Sequence, residues 1–598
     1  MKRTHTCGEL TKEDLDKDVI LQGWVDTRRD HGGVIFIDLR DRYGLTQIVF
    51  NPDVGCFNEA EKLRREYVIE ITGKVVSRKE GMENPKMKTG QIEIITNNLK
   101  ILNTSEVPPI EIDDRIAAND EIRLKYRYLD LRRPIMQKNI LIRHQVAQAI
   151  REYLNSKGLL EIQTPMMVRS TPEGSRDYVV PSRLHPGKFF ALPQSPQLYK
   201  QTLMVSGFDR YYQLPVCCRD EGNRADRQPE HQQIDIEMSF VDEEDIYELI
   251  EGMYKHIFKK VINKDIKVPF DRLTYDEAMD KYGSDKPDLR FGLELVDVSE
   301  IVVNSDFSVF KSAVNSGGMV KCINAKDCAK FSRKDIDELT KLVAIYRAKG
   351  LAWMKLTKEG LESSVVKFFN ADVQQRLINA TNAKEGDLLL FVADTKKITN
   401  SALGALRIEL AKRLELTDPK EYRFAWIHDF PLFAWNEEEE KWDAEHHIFT
   451  MPKEECMQYL DTDPSKVIGR LYDLTLNGWE MASGSIRIHL PEIQKKVFKV
   501  LGITDEEVEL KFGWLINAFK YGAPPHGGIA PGLDRTVAMM LGLNDIREVI
   551  AFPKNKAQEN PMDGSPNVID ESLRAELKIQ IDKKVLKKSD KEELGIKD

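Results

Sequence analysis

The stretch between residues 211 and 240 narrows the possible folds of this chain more than any other. Tyr211-Tyr212-Gln213-Leu214-Pro215-Val216-Cys217-Cys218 ends at Arg219, a polar loop runs from Asp220 to Gln233, and Ile234-Asp235-Ile236-Glu237-Met238-Ser239-Phe240 then alternates. Period two predicts a strand with Ile234, Ile236, Met238 and Phe240 facing a core and Asp235, Glu237 and Ser239 sharing the other face. An acidic strip thus lies beside an arginine. A ligand bearing both an ammonium and a phosphate finds each charge met by its opposite in such a pocket, and an aminoacyl adenylate is such a ligand.

The chain has 598 residues, 41% of them hydrophobic, which is enough for about three to four domains. No apolar run approaches the ~20 residues of a membrane span. Met1-Lys2-Arg3-Thr4-His5 leads into Lys/Asp/Glu-rich sequence rather than a signal segment, so a cytoplasmic protein with no membrane partner is expected. The seven cysteines form no CxxC pair and are expected to be reduced thiols. A net charge of -9 argues against indiscriminate nucleic-acid binding and leaves room for local basic patches.

The pattern predicts a multidomain α+β protein. Residues 1–105 carry five short alternating segments, Val19 to Val25, Val34 to Leu39, Leu45 to Phe50, Val68 to Val76 and Gln91 to Leu99, which fit an OB-fold β-barrel. Ile35, Ile37 and Leu39 point one way there, leaving Phe36 on the other face near Arg28, Arg29, Arg40, Arg42 and Gln47. An aromatic among arginines and amides suits unpaired bases; the alternative is a small apolar patch with solubilising arginines. Residues 106–136, with Pro108-Pro109, read as a hinge. The first catalytic part, 137–286, opens on an amphipathic helix from about Gln137 with Ile142, Val146, Ile150 and Tyr153 on one face and Gly158 as its stop. Residues 287–417 read as an inserted α+β domain, 418–560 as the second catalytic part and 561–598 as a polar C-terminal extension.

Four further segments carry chemistry. Thr171-Pro172-Glu173-Gly174-Ser175-Arg176-Asp177 and Gln194-Ser195-Pro196-Gln197-Leu198-Tyr199-Lys200 are polar loops that alone could be ordinary. In Leu476-Asn477-Gly478-Trp479-Glu480 through Ser485-Ile486-Arg487, Asn-Gly signals a hairpin and puts Glu480 and Arg487 on strands. Gly527-Gly528-Ile529-Ala530-Pro531-Gly532-Leu533-Asp534-Arg535 runs into a helix, with glycines that let backbone approach a ligand and Arg535 where phosphate is favoured. The plain alternative is a glycine-rich turn with an arginine packed on its own helix.

Together these residues resemble the class II aminoacyl-tRNA synthetases, of the bacterial aspartyl type, over essentially the whole chain. Arg219-Asp220-Glu221 with its loop and return strand resembles motif 2, Gly532-Leu533-Asp534-Arg535 resembles motif 3, and the helix before Thr164-Pro165 resembles motif 1, which implies a homodimer. The insertion with Phe369-Asn370-Ala371-Asp372 resembles the bacterial extra domain. The resemblance implies an antiparallel catalytic sheet and ATP as substrate; no Walker sequence is present. It implies that Arg219 clamps the α-phosphate and Arg535 the γ-phosphate, with Asp220, Glu221, Gln228, Gly532, Leu533 and Asp534 in the ATP site. Asp473 and Glu480 would hold Mg2+. Arg487 and Lys200 would read the aspartate side chain; Glu173 and Asp235 would take its ammonium, with Gln197 as neutral partner and His446 of the pair His446-His447 closing over it. That histidine pair could equally be solvent-exposed with no ligand.

For tRNA, the resemblance places Arg224 and Arg227 at the acceptor stem, Phe36 in stacking contact with an anticodon base, and Arg29, Gln47 and Glu93 at base edges. His31 and Gly81 match members that charge tRNA-Asn as well as tRNA-Asp, which implies an amidotransferase to process the product. The rival readings are an enzyme restricted to tRNA-Asp, a lysyl- or asparaginyl-tRNA synthetase, and an inactive RNA-binding paralogue.

Overall fold

A computed structural model describes residues 3–115, 118–171, 175–222 and 225–582. It divides into two compact units, residues 1–138 with 560–564 and residues 139–559 with the remaining C-terminal residues.

The first unit is built on a closed five-stranded barrel. Its strands are Asp18–His31, Val34–Asp41, Gly44–Phe50, Val68–Ser77 and Ile92–Asn103. The third and fifth are parallel; the other neighbours are antiparallel. The alternation read in the sequence fills the interior with Val19, Leu21, Ile35, Ile37, Leu39, Ile48, Ile69, Ile71 and Ile94. An irregularity between Val25 and Thr27 lets one long first strand serve two partners, as bulges at barrel corners do. Arg40 is already engaged by carboxylates: its Nη2 donates to both oxygens of buried Glu66 at 2.8 Å, and its Nη1 to Asp26 at 2.5 Å. Arg42 stacks on Tyr43 at 4.6 Å. Near the hinge, Asp130 is fully buried and gathers Arg123, Arg127 and Arg133.

The second unit contains an eight-stranded sheet in the order Asp271–Thr274, Phe424–His428, Leu471–Leu476, Trp479–Ile486, His526–Pro531, Asp235–Ser239, Arg210–Gln213, Leu160–Glu161. Only the pair at each edge is parallel. Residues 146–154 of the helix Pro134–Ser156 and the helix Glu243–Ile262 pack their apolar faces into one core with Ile236, Met238, Trp426, Leu474 and Ile529. The first helix begins at Pro134, three residues before the expected start, because a proline in the first turn has no amide that needs a partner; it stops before Gly158, which takes φ +77. Phe240 departs from the expected alternation. The strand ends at Ser239, Phe240 turns into the left-handed region at φ 57°, and its ring is 71% exposed.

The inserted segment forms its own antiparallel sheet, Leu295–Asp297, Met319–Ala325, Leu388–Asp394, Ala352–Thr357, Gly360–Glu362 in spatial order. Separate cores lie on it, one with the helices Arg333–Ile345 and Lys396–Arg413, the other with Ala371–Thr381 and Ser308–Asn315. Among the described residues all seven cysteines are free and buried, and no helix is long and apolar enough to cross a membrane.

Candidate active site

One cavity of about 620 Å³ opens on the catalytic sheet, and Arg219, Arg487 and Arg535 all line it. The elements that bring them together are far apart in the chain. Arg219 follows the short strand Val216–Cys218, which pairs with Glu230–Gln232. Glu480 lies on the strand Trp479–Ile486, joined to Leu471–Leu476 by the expected Asn477-Gly478 turn. Arg487 sits one residue past that strand, bridged to Thr450. Arg535 lies in the first turn of the helix Leu533–Met540.

The deep end of the cavity is a buried quartet of two cations and two anions. Lys200 Nζ lies 2.8 Å from Asp235 Oδ1 and 3.2 Å from Glu237 Oε2, while Arg487 donates to Glu237 through Nε at 2.9 Å and Nη2 at 3.1 Å. Arg487 Nη1 faces Ser485 Oγ at 2.7 Å and His447 Nε2 at 2.6 Å. Burial, then the Arg487 charge, holds His447 well below the ordinary imidazole range, so the ring is neutral and accepts from the guanidinium. Lys200 and Arg487, expected to read the aspartate side chain, are therefore not unpaired cations waiting for a ligand. Both already have carboxylate partners. Burial pushes Asp235 up against the opposing pull of Lys200, and among the described residues its Oδ2 has no hydrogen-bond partner, which leaves an acceptor for an ammonium. Gln197 lines the same wall, its amide donating to Gln201 Oε1 at 3.1 Å.

The outer end is cationic. Arg219 is half-buried, and its side chain donates from Nε to Gln194 O at 3.3 Å. Arg535 donates to Glu480 O at 2.7 Å and to Asp226 O at 3.3 Å. His231 sits near both: burial, then the Arg219 and Arg535 charges, push its pKa down to about 3. Asp473 is buried with Oδ2 at 3.2 Å from His446 Nε2, while its Oδ1 has no hydrogen-bond partner among the described residues. Burial alone would depress His446, but Asp473, Glu480 and Glu445 outweigh it and raise the ring to about 9. That Asp473 carboxylate oxygen, in a residue that lines the same cavity as the half-buried Glu480, fits the hard oxygen ligation of Mg2+.

Other expected residues are placed as follows. Glu221 binds Arg227 at 3.0 Å, and Gln228 accepts from Lys554 N at 2.8 Å; all but Lys554 line the cavity. Gly532 lines it too. Asp534 holds Arg143 through one oxygen and Gln232 N at 2.8 Å through the other, so both of its oxygens are engaged. Asp220 lies outside the lining, 3.6 Å from Arg176, and Leu533 is in the core. Glu173 and Arg224 lie outside the described residues. Gly528 serves the sheet rather than a ligand: a Cβ there would overlap Glu237 Oε2 and the carbonyl of Ile236.

On the barrel, Phe36 pairs across the strands with Arg29 and Val49. Arg29 Nη2 lies 2.9 Å from Asp38 Oδ1 and 3.3 Å from Gln47 Oε1, and Gln47 donates to Glu93 at 2.7 Å. His31 meets Phe36 edge-on, with ring centroids 6.3 Å apart. Gly81 takes φ +80 with open space where a Cβ would be, so glycine there has a backbone reason of its own.

Residues 119–556 match the family described as tRNA synthetases class II (D, K and N), and residues 19–102 match the OB-fold nucleic acid binding domain. The chain belongs to the class II tRNA synthetases. Among sequence relatives of this synthetase, an aspartate–tRNA ligase of Ruminiclostridium cellulolyticum is 52% identical, with 98% of this chain and 99% of that one covered. An aspartate–tRNA(Asp/Asn) ligase of Desulfatibacillum aliphaticivorans is 53% identical, with 98% of both chains covered. The fold is shared with an asparaginyl-tRNA synthetase of Pyrococcus horikoshii complexed with asparaginyl-adenylate, at 20% identity and a TM-score of 0.59 over 92% of this chain and 98% of that one. An aspartyl tRNA synthetase of Entamoeba histolytica gives 20% identity and a TM-score of 0.56 over 92% of each.

In this synthetase the sequence reading missed three site residues. Glu237 was read as part of the acidic strip but given no partner, His447 was passed over for its neighbour, and His231 was not singled out. Glu237 alone carried a signal, its place on the same strand face as Asp235; the partner that matters, Arg487, lies 250 residues away.

Proposed function

We propose that the protein is an aspartate–tRNA ligase, which joins L-aspartate to ATP as aspartyl-adenylate and passes the aspartyl group to the 3′ end of tRNA. The carrying observation is one cavity with a charge-balanced recognition pocket at its deep end and two arginines at its outer end; relatives of that name at 52–53% identity support it. A carboxylate oxygen of aspartate attacks the α-phosphorus, the new C–O–P linkage forms, and the bond to pyrophosphate breaks. Arg219 holds the α-phosphate and Arg535 the γ-phosphate, so the chain contributes orientation and charge rather than proton transfer. Glu221 and Gln228 place the adenine end. Mg2+, held by Asp473 and Glu480, supplies charge neutralisation at the phosphates when bound.

Asp235 Oδ2, with Glu173 and Gln197, receives the α-ammonium, and His446 covers the bound amino acid. Arg487 and Lys200 take the side-chain carboxylate as a further acceptor beside Glu237 and Asp235. An asparagine amide there turns N–H donors toward cations, and a site built on polar pairing discriminates by ~10⁴ or more. Arg224 and Arg227 meet the acceptor stem, and Phe36, Arg29, Gln47 and Glu93 meet the anticodon. His31 and Gly81, with relatives named for both tRNAs, support charging of tRNA-Asn as well, whose product an amidotransferase then converts. A cytoplasmic homodimer is the working form.

ATP–pyrophosphate exchange with aspartate, asparagine and lysine in parallel tests the activity: exchange supported by aspartate alone is expected, and exchange driven by either other amino acid overturns it. Purified tRNA-Asp and tRNA-Asn should both be aspartylated; a tRNA-Asn left uncharged sinks the wider substrate range.

A further inference from the structure

The segment leading from the catalytic sheet into the inserted domain is held by an uncommon cation. Arg407, on the helix Lys396–Arg413, is 1% exposed. Its guanidinium lies over the rings of Phe291 at 4.1 Å and Tyr282 at 4.8 Å. It donates to the carbonyl oxygens of Asp288 and Phe291 at 2.8 Å each and of Gly292 at 3.1 Å. A planar fork bonded to three backbone acceptors fixes a chain conformation, and a lysine cannot copy that geometry. The backbones themselves also meet, since a Cβ on Gly404 of the same helix would lie 2.6 Å from Gly283 O.

The beginning of this segment reaches the cavity. Asp285 lines it. Lys286 Nζ lies 3.7 Å from Glu480 Oε2, and Arg535 Nη1 lies 3.8 Å from Glu480 Oε1. Glu480 thus stands between two cations, one from the helix Leu533–Met540 and one from the segment that Arg407 clamps. The lysine is only partly buried and forms no hydrogen bond with the carboxylate, so its amine is placed near the outer end without being committed there.

We propose that Arg407 is a positioning residue for adenylation: it fixes residues 284–292 so that Lys286 faces Arg535 across Glu480 and binds the ATP phosphates. The inserted domain is then part of the catalytic apparatus through one side chain. This rests on the adenylation reading above.

The test compares the full-length protein with Lys286→Met, Arg407→Lys and the double variant, by aspartate-dependent ATP–pyrophosphate exchange and by calorimetric ATP binding. Each single change is expected to raise the KM and the dissociation constant for ATP about tenfold, the scale of one hydrogen bond to a charged group. The KM for aspartate should stay within about twofold, and the double variant should be little worse than either single one. Gly404→Ala should reproduce the Arg407→Lys pattern without touching a charge. Unchanged ATP affinity in Lys286→Met, equal losses for ATP and aspartate, or multiplied effects in the double variant each overturn the proposal. A wild-type protein without aspartate-dependent exchange would instead overturn the adenylation reading itself.

Discussion

At the scale of single residues, the site is organised by where protons are refused. His231 lies close enough to Arg219 and Arg535 for both to oppose its protonation, and burial adds the larger share. Its folded pKa of about 3 is below the ordinary value near 6.5, so below that value the unfolded chain takes up a proton the folded one rejects. The stability contributed by the neutral ring is complete above about pH 6.5 and is lost as pH falls from there toward 3. Between pH 6.5 and 5 the loss comes to about 2 kcal/mol. His231→Gln should therefore flatten the acid side of the stability profile, with a pH 7 to 5 drop in urea-unfolding free energy smaller by about that amount. An unchanged slope would mean that the ring is not shielded as described. His447 and His526 carry shifts of the same sign, so acid sensitivity should persist in part.

At the scale of elements, the central strands are pressed together around Glu237. Gly528 pairs with Glu237 in the register of the strands Asp235–Ser239 and His526–Pro531, and a methyl group there would collide with Glu237 Oε2 and the Ile236 carbonyl. Gly528→Ala should cost about 1–3 kcal/mol by overpacking. By displacing Glu237 from Arg487 it should also raise the KM for aspartate more than that for ATP. Thermal unfolding and the two KM values check this, and an unaltered KM for aspartate would contradict the coupling. Much of this element was readable in the chain: the alternation from Ile234 to Ser239 and the Asn477-Gly478 turn are local signals, and both describe the structure. Phe240 was not, since the end of a strand is decided by what lies beyond it, here the amide of Phe240 bonding to Pro525 O. Nor was the pairing of Lys200 and Arg487 with Asp235 and Glu237. Four charges from three segments choose partners only when the sheet and its neighbours have assembled, and a sequence shows their signs without their distances.

At the scale of the whole molecule, the two units have separate cores, which separates two kinds of failure. Phe36→Ala removes a ring from the outer surface of the barrel, where Phe36 is partly exposed beside Arg29 and His31. Loss of base stacking, worth about 1–3 kcal/mol per base, should raise the KM for tRNA tenfold or more while aspartate-dependent pyrophosphate exchange stays at the wild-type rate. A fall in exchange would place Phe36 in the wrong process. The order of the catalytic sheet has a consequence for how the protein is made. The barrel is complete once Asn103 has been synthesised, but the strand Asp235–Ser239 waits for His526–Pro531. The ribosome must therefore deliver the inserted domain and most of the remaining chain while that strand still has one edge bare, and it is in this interval that chaperones have the most to protect.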